Sequence, residues 1–207
     1  MSAIKFQTHI KVITIGACGI GKTCLLQRIA EGVFNENSIP TIGVGMYVWQ
    51  FKASKNYEEG SFQFWDTAGQ ERFAAMVNAY YRDVHLIFFC MPVESFLLGT
   101  VQKQDEAWVE LKTRMEEVNR KRQMDSLVYF IGTKLDTVGS DDLNVLKEFK
   151  KKLVDYFSTE FALDISERCF FTSSKSPTGT TQLQASLLRN IPVFRQIQRD
   201  RDEKSAN

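Results

Sequence analysis

The chain has 207 residues, 43% of them hydrophobic and 12% aromatic, which is enough apolar material for one α/β domain with a sizeable core. Lys and Arg total 26 against 25 Asp and Glu, a formal charge of +1, so no bulk field attracts nucleic acid or an acidic membrane surface and neither is expected as a partner. No run reaches the roughly 18 apolar residues of a membrane-spanning helix, and Met1-Ser2-Ala3-Ile4-Lys5 lacks the apolar stretch of a signal peptide. Cys18, Cys24, Cys90 and Cys169 form no C-x-x-C pair and read as reduced, mostly buried thiols of a cytosolic protein. His9 and His85 each adjoin a strand-like run and read as structural rather than zinc-binding.

Residues 9–15 (HIKVITI) form a short β-branched run that stops at Gly16, the pattern of a buried strand. Apolar residues at helical spacing follow over 23–30. Residues 44–53 and 62–66 alternate and are rich in aromatics, with a polar stretch between them, so a β-hairpin with a longish turn is expected. The continuous apolar runs 86–90 (LIFFC) and 127–131 (LVYFI), and the shorter run 169–171, read as strands covered on both faces. Charged, helically periodic segments fill 71–81, 95–122, 141–161 and 180–199. Strands alternating with helices predict a mainly parallel sheet with helices on both faces. Pro192 is expected to end or kink the last helix, and the polar residues after 199 to fray.

Gly16-Ala17-Cys18-Gly19-Ile20-Gly21-Lys22-Thr23 fits G-x-x-x-x-G-K-[ST], between a strand and a helix. Glycines let successive N–H groups curl inward at phosphate oxygens, and the helix N-terminus adds its dipole. Lys22 is placed to neutralise outer phosphates and the Thr23 hydroxyl to ligate Mg²⁺. Gly19, Ile20, Gly21 and Cys24 complete this phosphate cradle.

Further on, Asp66-Thr67-Ala68-Gly69-Gln70-Glu71 resembles the DTAGQE segment of the Ras-like small GTPases. The resemblance implies that Asp66 binds Mg²⁺ through water, that the Gly69 amide senses the γ-phosphate, and that Gln70 positions the attacking water. Pro40-Thr41-Ile42-Gly43 resembles the family's first switch, with Thr41 closing over Mg²⁺ and the γ-phosphate and Phe34 lying against the guanine edge. Thr133-Lys134-Leu135-Asp136 resembles the [NT]-K-x-D base-reading motif. A carboxylate at Asp136 accepts from the guanine N1–H and 2-amino group, which adenine cannot match, and Lys134 covers the base. Ser173-Ser174-Lys175 resembles the SAK loop, with the Ser174 amide directed at the guanine carbonyl.

The resemblance covers about residues 9–199, and Trp65 through Phe73 with Tyr80-Tyr81-Arg82 is particularly similar to Rab proteins. It implies a single P-loop G domain over 1–199 with a short polar tail over 200–207. The sheet should have six strands, mostly parallel with one antiparallel, and helices on both faces. Gln70, Lys22 and Thr41 would act in catalysis; Thr23, Thr41 and Asp66 would hold the metal. GTP or GDP and Mg²⁺ are the expected cofactors. An exchange factor, a GTPase-activating protein and effectors are the expected partners, and transport of vesicles or other intracellular cargo is the expected setting. Ser38, Gly45-Met46 and Met91-Pro92 depart from the Rab pattern. They leave open a nucleotide-binding interaction module with negligible turnover, or a soluble Ran-like or intraflagellar-type GTPase. The last seven residues hold no cysteine and Ser2 replaces a myristoylation glycine, so the expectation is a soluble cytoplasmic chain without a direct lipid anchor.

Overall fold

The computed structural model describes residues 8–36, 39–67, 79–139 and 143–206. Their strands are β1 (Thr8–Ile15), β2 (Val44–Phe51), β3 (Gly60–Thr67), β4 (Leu86–Pro92), β5 (Leu127–Thr133) and β6 (Cys169–Phe171). They make one sheet in the order β2-β3-β1-β4-β5-β6. β2 pairs antiparallel with β3, and every other pairing is parallel. The hairpin, the parallel crossovers and the six-stranded sheet are those the sequence leads one to expect.

The period of two along the central strands sorts side chains between two cores. Ile87, Phe89 and Met91 of β4, with Val128 and Phe130 of β5, pack under α2 (Val101–Lys121) and α3 (Leu143–Phe161). Leu86, Phe88 and Cys90, with Tyr129 and Ile131, pack on the other face under α1 (Lys22–Glu31), α4 (Thr180–Arg189) and α5 (Ile191–Ala206). Strands covered on both faces must be apolar at every position, which is why LIFFC and LVYFI lack alternation.

Helix boundaries differ from the periodic pattern in three places. Instead of one helix over 95–122 there is a single turn, Glu94–Leu97, then a break, then α2. Gly99 takes φ +87°, a conformation open to glycine, and Thr100 caps α2 by accepting the Lys103 N–H at 3.4 Å. Pro192 does not end a helix. The chain turns at Asn190, whose side-chain amide bonds Tyr129 Oη and Ser186 O, and Pro192 then lies in the first turn of α5, where a missing N–H costs nothing. Nor do the residues after 199 fray: α5 continues to Ala206. Arg201 donates to both carboxyl oxygens of Asp125 at 2.9 and 2.6 Å and to Val84 O at 2.9 Å. That guanidinium holds the Asp125 carboxyl below its ordinary value. The expected helix over 71–81 falls mostly on residues outside the described ones, as do residues 141 and 142 of the third helical segment.

Both histidines are bonded within the fold. His9 Nδ1 lies 2.8 Å from Ser61 Oγ. His85 Nδ1 accepts the Lys11 N–H at 3.1 Å, which leaves the proton on Nε2 to donate to Gln198 Oε1 at 2.8 Å. Burial pushes the His85 pKa below its ordinary 6.5. The unfolded chain therefore binds the proton more readily than the folded one. The stability contributed by neutral His85 is complete above the unfolded value and is lost as pH falls through the lower folded value. Chemical denaturation below pH 6.5 should show stability declining with acid, by at most about 1.4 kcal/mol per pH unit from this single proton. His85→Gln should flatten that component; an unaltered slope would show that His85 does not carry it.

Candidate functional site

The loop between β1 and α1 is shaped by its glycines. A Cβ on Gly16 would lie 2.4 Å from Cys90 O, so only glycine allows the loop to pass this close to β4. Gly19 and Gly21 take φ of +75° and +94° and turn the backbone without crowding. Gly21 caps α1 with no side-chain bond, so the first amides of that ten-residue helix are not satisfied by a capping side chain. The Lys22 side chain folds back over the loop and donates from Nζ to Gly16 O at 2.9 Å and Ala17 O at 2.7 Å. Its burial lowers the ammonium pKa from the ordinary 10.5, so a nearby anion would restore favourable charge.

Beside Lys22, three oxygens converge. The Thr23 hydroxyl donates to Asp66 Oδ2 at 2.6 Å and lies 2.9 Å from Thr41 Oγ1, which itself donates to Asp66 Oδ2 at 3.1 Å. Asp66 is the penultimate residue of β3 and is only 1% exposed; Thr14 on β1 donates to its other oxygen at 3.4 Å. Burial raises the Asp66 pKa, against the hydrogen bonds from Thr23, Thr41 and Thr14 and the charge of Lys22, which lower it. One carboxylate and two hydroxyls are hard oxygen donors of the kind Mg²⁺ takes, so the residues fit that ion.

The far end of the site is built by β5 and the loop after β6. Thr133 Oγ1 donates to Ile20 O at 2.6 Å, tying β5 to the phosphate loop. Lys134 stands in the left-handed region at φ +56°, and its ammonium lies 3.7 Å from Glu94 Oε1. The turn Leu135–Thr137 presents Asp136, which Ser173 Oγ orients by donating to Oδ1 at 2.5 Å. A cavity of ≈ 420 Å³ joins the two ends. It is lined by Gly19, Gly21, Lys22, Thr23, Cys24, Phe34 and Thr41 on one side, and by Thr133, Lys134, Asp136, Ser174 and Lys175 on the other. That volume suits a ligand of nucleotide size.

Three of the sequence-derived residues lie behind the cavity wall: Asp66, held behind the Thr23 and Thr41 hydroxyls, Ile20 and Ser173. Ile20 packs its side chain into the core and its carbonyl accepts from Thr133, and the fully buried Ser173 acts through Asp136. Gly69 and Gln70 lie outside the described residues. Cys18 is exposed and Cys24 half-buried, contrary to the expectation of mostly buried thiols, because both sit on the chain that curves round the cavity. Cys90 and Cys169 are buried, and burial pushes each thiol up to about 12. Sequence reasoning missed Asn35, Glu36, Ile39, Thr67 and Thr137 in the lining, and Thr14 behind Asp66. Thr67 belongs to the DTAGQE segment, where no role was assigned to it; the others belong to no recognisable spacing, and only the closed fold brings them to the site.

A phosphate loop, an Asp–Thr–Thr oxygen cluster and a carboxylate-bearing loop at the carboxyl ends of parallel strands define a P-loop nucleotide-binding domain. The family described as "Ras of Complex, Roc, domain of DAPkinase" matches residues 11–136. GTP-binding protein ypt1 of Schizosaccharomyces pombe is 30% identical over 188 residues, covering 90% of this chain and 82% of the relative. Ras-related protein Rab-13 of Canis lupus familiaris is 30% identical over 191 residues, with 90% and 82% covered. Ras-related protein RabC of Dictyostelium discoideum is 25% identical over 181 residues, with 87% and 83% covered. The chain belongs to the Ras-like small GTPase superfamily and is Rab-like.

Proposed function

We propose that the chain binds GTP and GDP with Mg²⁺ and hydrolyses GTP slowly, as a switch read by effector proteins in intracellular or vesicle transport. The observation that carries this reading is the single cavity lined by Lys22, Thr23 and Thr41 at one end, with Asp66 bonded behind the two threonines, and by Asp136 at the other. Lys22 and the amides of the phosphate loop would bind the phosphates, with Gly19, Gly21 and Cys24 forming the cradle. Thr23, Thr41 and Asp66 would hold Mg²⁺, which when bound neutralises charge on the phosphate oxygens. Asp136 would accept from the guanine N1–H and 2-amino group, Lys134 and Phe34 would flank the base, and Ser173 keeps the carboxylate in place. Gln70 would orient the attacking water, and Gly69 would report the γ-phosphate.

The charge inventory of the described residues supports slow turnover. Among the described residues no arginine lines the cavity. A partner's arginine would then add about 10³–10⁵-fold, the leverage by which an activating protein could control the switch; an exchange factor would reverse it. A cytoplasmic setting is supported by the free cysteines.

Gln70→Leu tests the hydrolytic part. Leucine keeps the bulk but cannot orient water, so single-turnover hydrolysis should slow by about 10- to 100-fold while GTP affinity changes little. An unchanged rate would remove Gln70 from the mechanism.

A further inference from the structure

Arg28 lies on α1 beside the core-facing residues Leu25, Leu26 and Ile29, and reaches across to the loop after β6. Its guanidinium contacts three backbone carbonyls. Nε donates to Ser174 O at 2.8 Å, Nη2 to Lys175 O at 3.3 Å, and Nη1 to Gly32 O at 2.6 Å. The fork thus holds two consecutive carbonyls of a loop 146 residues away in sequence, and braces itself on the residue that caps its own helix.

This geometry has a consequence for the amides. Among the described residues no peptide is cis, and in a trans peptide the C=O of one residue and the N–H of the next point in opposite directions. The Ser174 carbonyl faces Arg28, which stands outside the cavity lining, whereas Ser174 and Lys175 both line the cavity. Fixing that carbonyl therefore turns the Lys175 N–H toward the cavity side. Among the described residues no hydrogen bond uses the Ser174 or Lys175 amide. Asp136 stands in the same wall. A planar five-donor fork suits this task, because one rigid group locks two peptide planes together.

We propose that Arg28 is a positioning residue for purine recognition, holding the Ser174–Lys175 backbone so that its amides meet the keto oxygen of the base. The inference rests on the reading of this cavity as a guanine-nucleotide site. It makes Arg28 act through the backbone it holds, without touching the nucleotide.

The test pairs a change in the protein with a change in one ligand atom. GDP and 6-thio-GDP differ only in that sulfur, a poor acceptor, replaces the keto oxygen; both keep the N1–H and 2-amino group that Asp136 would read. Arg28→Ala should weaken GDP binding by about 10-fold, the worth of one well-made hydrogen bond to a desolvated group. It should weaken 6-thio-GDP binding by less than about 3-fold, because that contact is already poor. Arg28→Lys should resemble Arg28→Ala, since one ammonium cannot span both carbonyls. Equal losses for the two ligands, as a general loosening of α1 would give, overturn the proposal; so does an undiminished affinity for GDP. A parent chain that binds ADP as tightly as GDP would overturn the base-reading assignment itself, and this inference with it.

Discussion

Asp136→Asn should weaken GTP binding by about 100-fold or more, and should give the chain affinity for xanthosine triphosphate that the parent lacks. The Asp136 carboxylate lines the cavity and is held by the Ser173 hydroxyl at 2.5 Å. A carboxylate only accepts, so it suits the adjacent N1–H and 2-amino donors of guanine. Asparagine has nearly the same shape, so Ser173 keeps its partner and the fold is undisturbed. Its NH₂, however, would face guanine donors, whereas xanthine presents a carbonyl at that edge. Equilibrium binding of both triphosphates to both proteins decides the point. A variant that loses GTP without gaining the xanthine nucleotide would show that Asp136 supports the site and does not read the base.

Thr23→Asn should be comparably severe through a different route. The Thr23 hydroxyl lies 2.6 Å from Asp66 and 2.9 Å from Thr41, at the centre of the oxygen cluster. Asparagine is longer and places an amide where a small hydroxyl stood, crowding a carboxylate that is almost fully buried. The parent should bind GTP more tightly when Mg²⁺ is added; the variant should lose most of that gain, roughly 10- to 100-fold in affinity at saturating Mg²⁺. If parent and variant respond alike to Mg²⁺, the cluster is not the metal site.

The sheet was legible because both of its signals are local. The runs LIFFC and LVYFI mark strands buried on both faces, and the alternating aromatics of 44–53 and 62–66 mark the hairpin. Helix breaks were less legible. Periodicity continues across 95–122 because Phe96 and Leu111 both reach the same core, while the interruption depends on the backbone of Gly99 and the hydroxyl of Thr100. Pro192 was misread because proline marks a helix start as readily as an end, and Asn190 decides which. The last residues look like a frayed tail by composition; Arg201 anchors them to Asp125, 76 residues earlier in the chain.

The site divides in the same way. The phosphate loop and TKLD carry fixed spacings that chemistry imposes, so the order of residues announces them. Supporting groups such as Thr14 and Arg28 work through a buried hydroxyl and through backbone carbonyls, which accept from many side-chain types and impose no sequence pattern. The departure at Met91-Pro92 has a structural account: Met91 is buried among Ile87, Phe89 and Phe130, and Pro92 closes β4 opposite Thr133. For Gly45-Met46 the fold shows pairing with Asp66 and Trp65 in the hairpin, with the Met46 side chain exposed.

This cavity is expected to turn over GTP as well as hold it. The direct measurement is single-turnover hydrolysis: protein loaded with GTP, turnover begun by adding Mg²⁺, and GDP and phosphate quantified over time. Slow conversion of the bound GTP to GDP, dependent on Mg²⁺, is the expected result. Bound GTP recovered intact over many hours, in protein that binds it tightly, would contradict the account and identify the chain as a nucleotide-binding module without turnover.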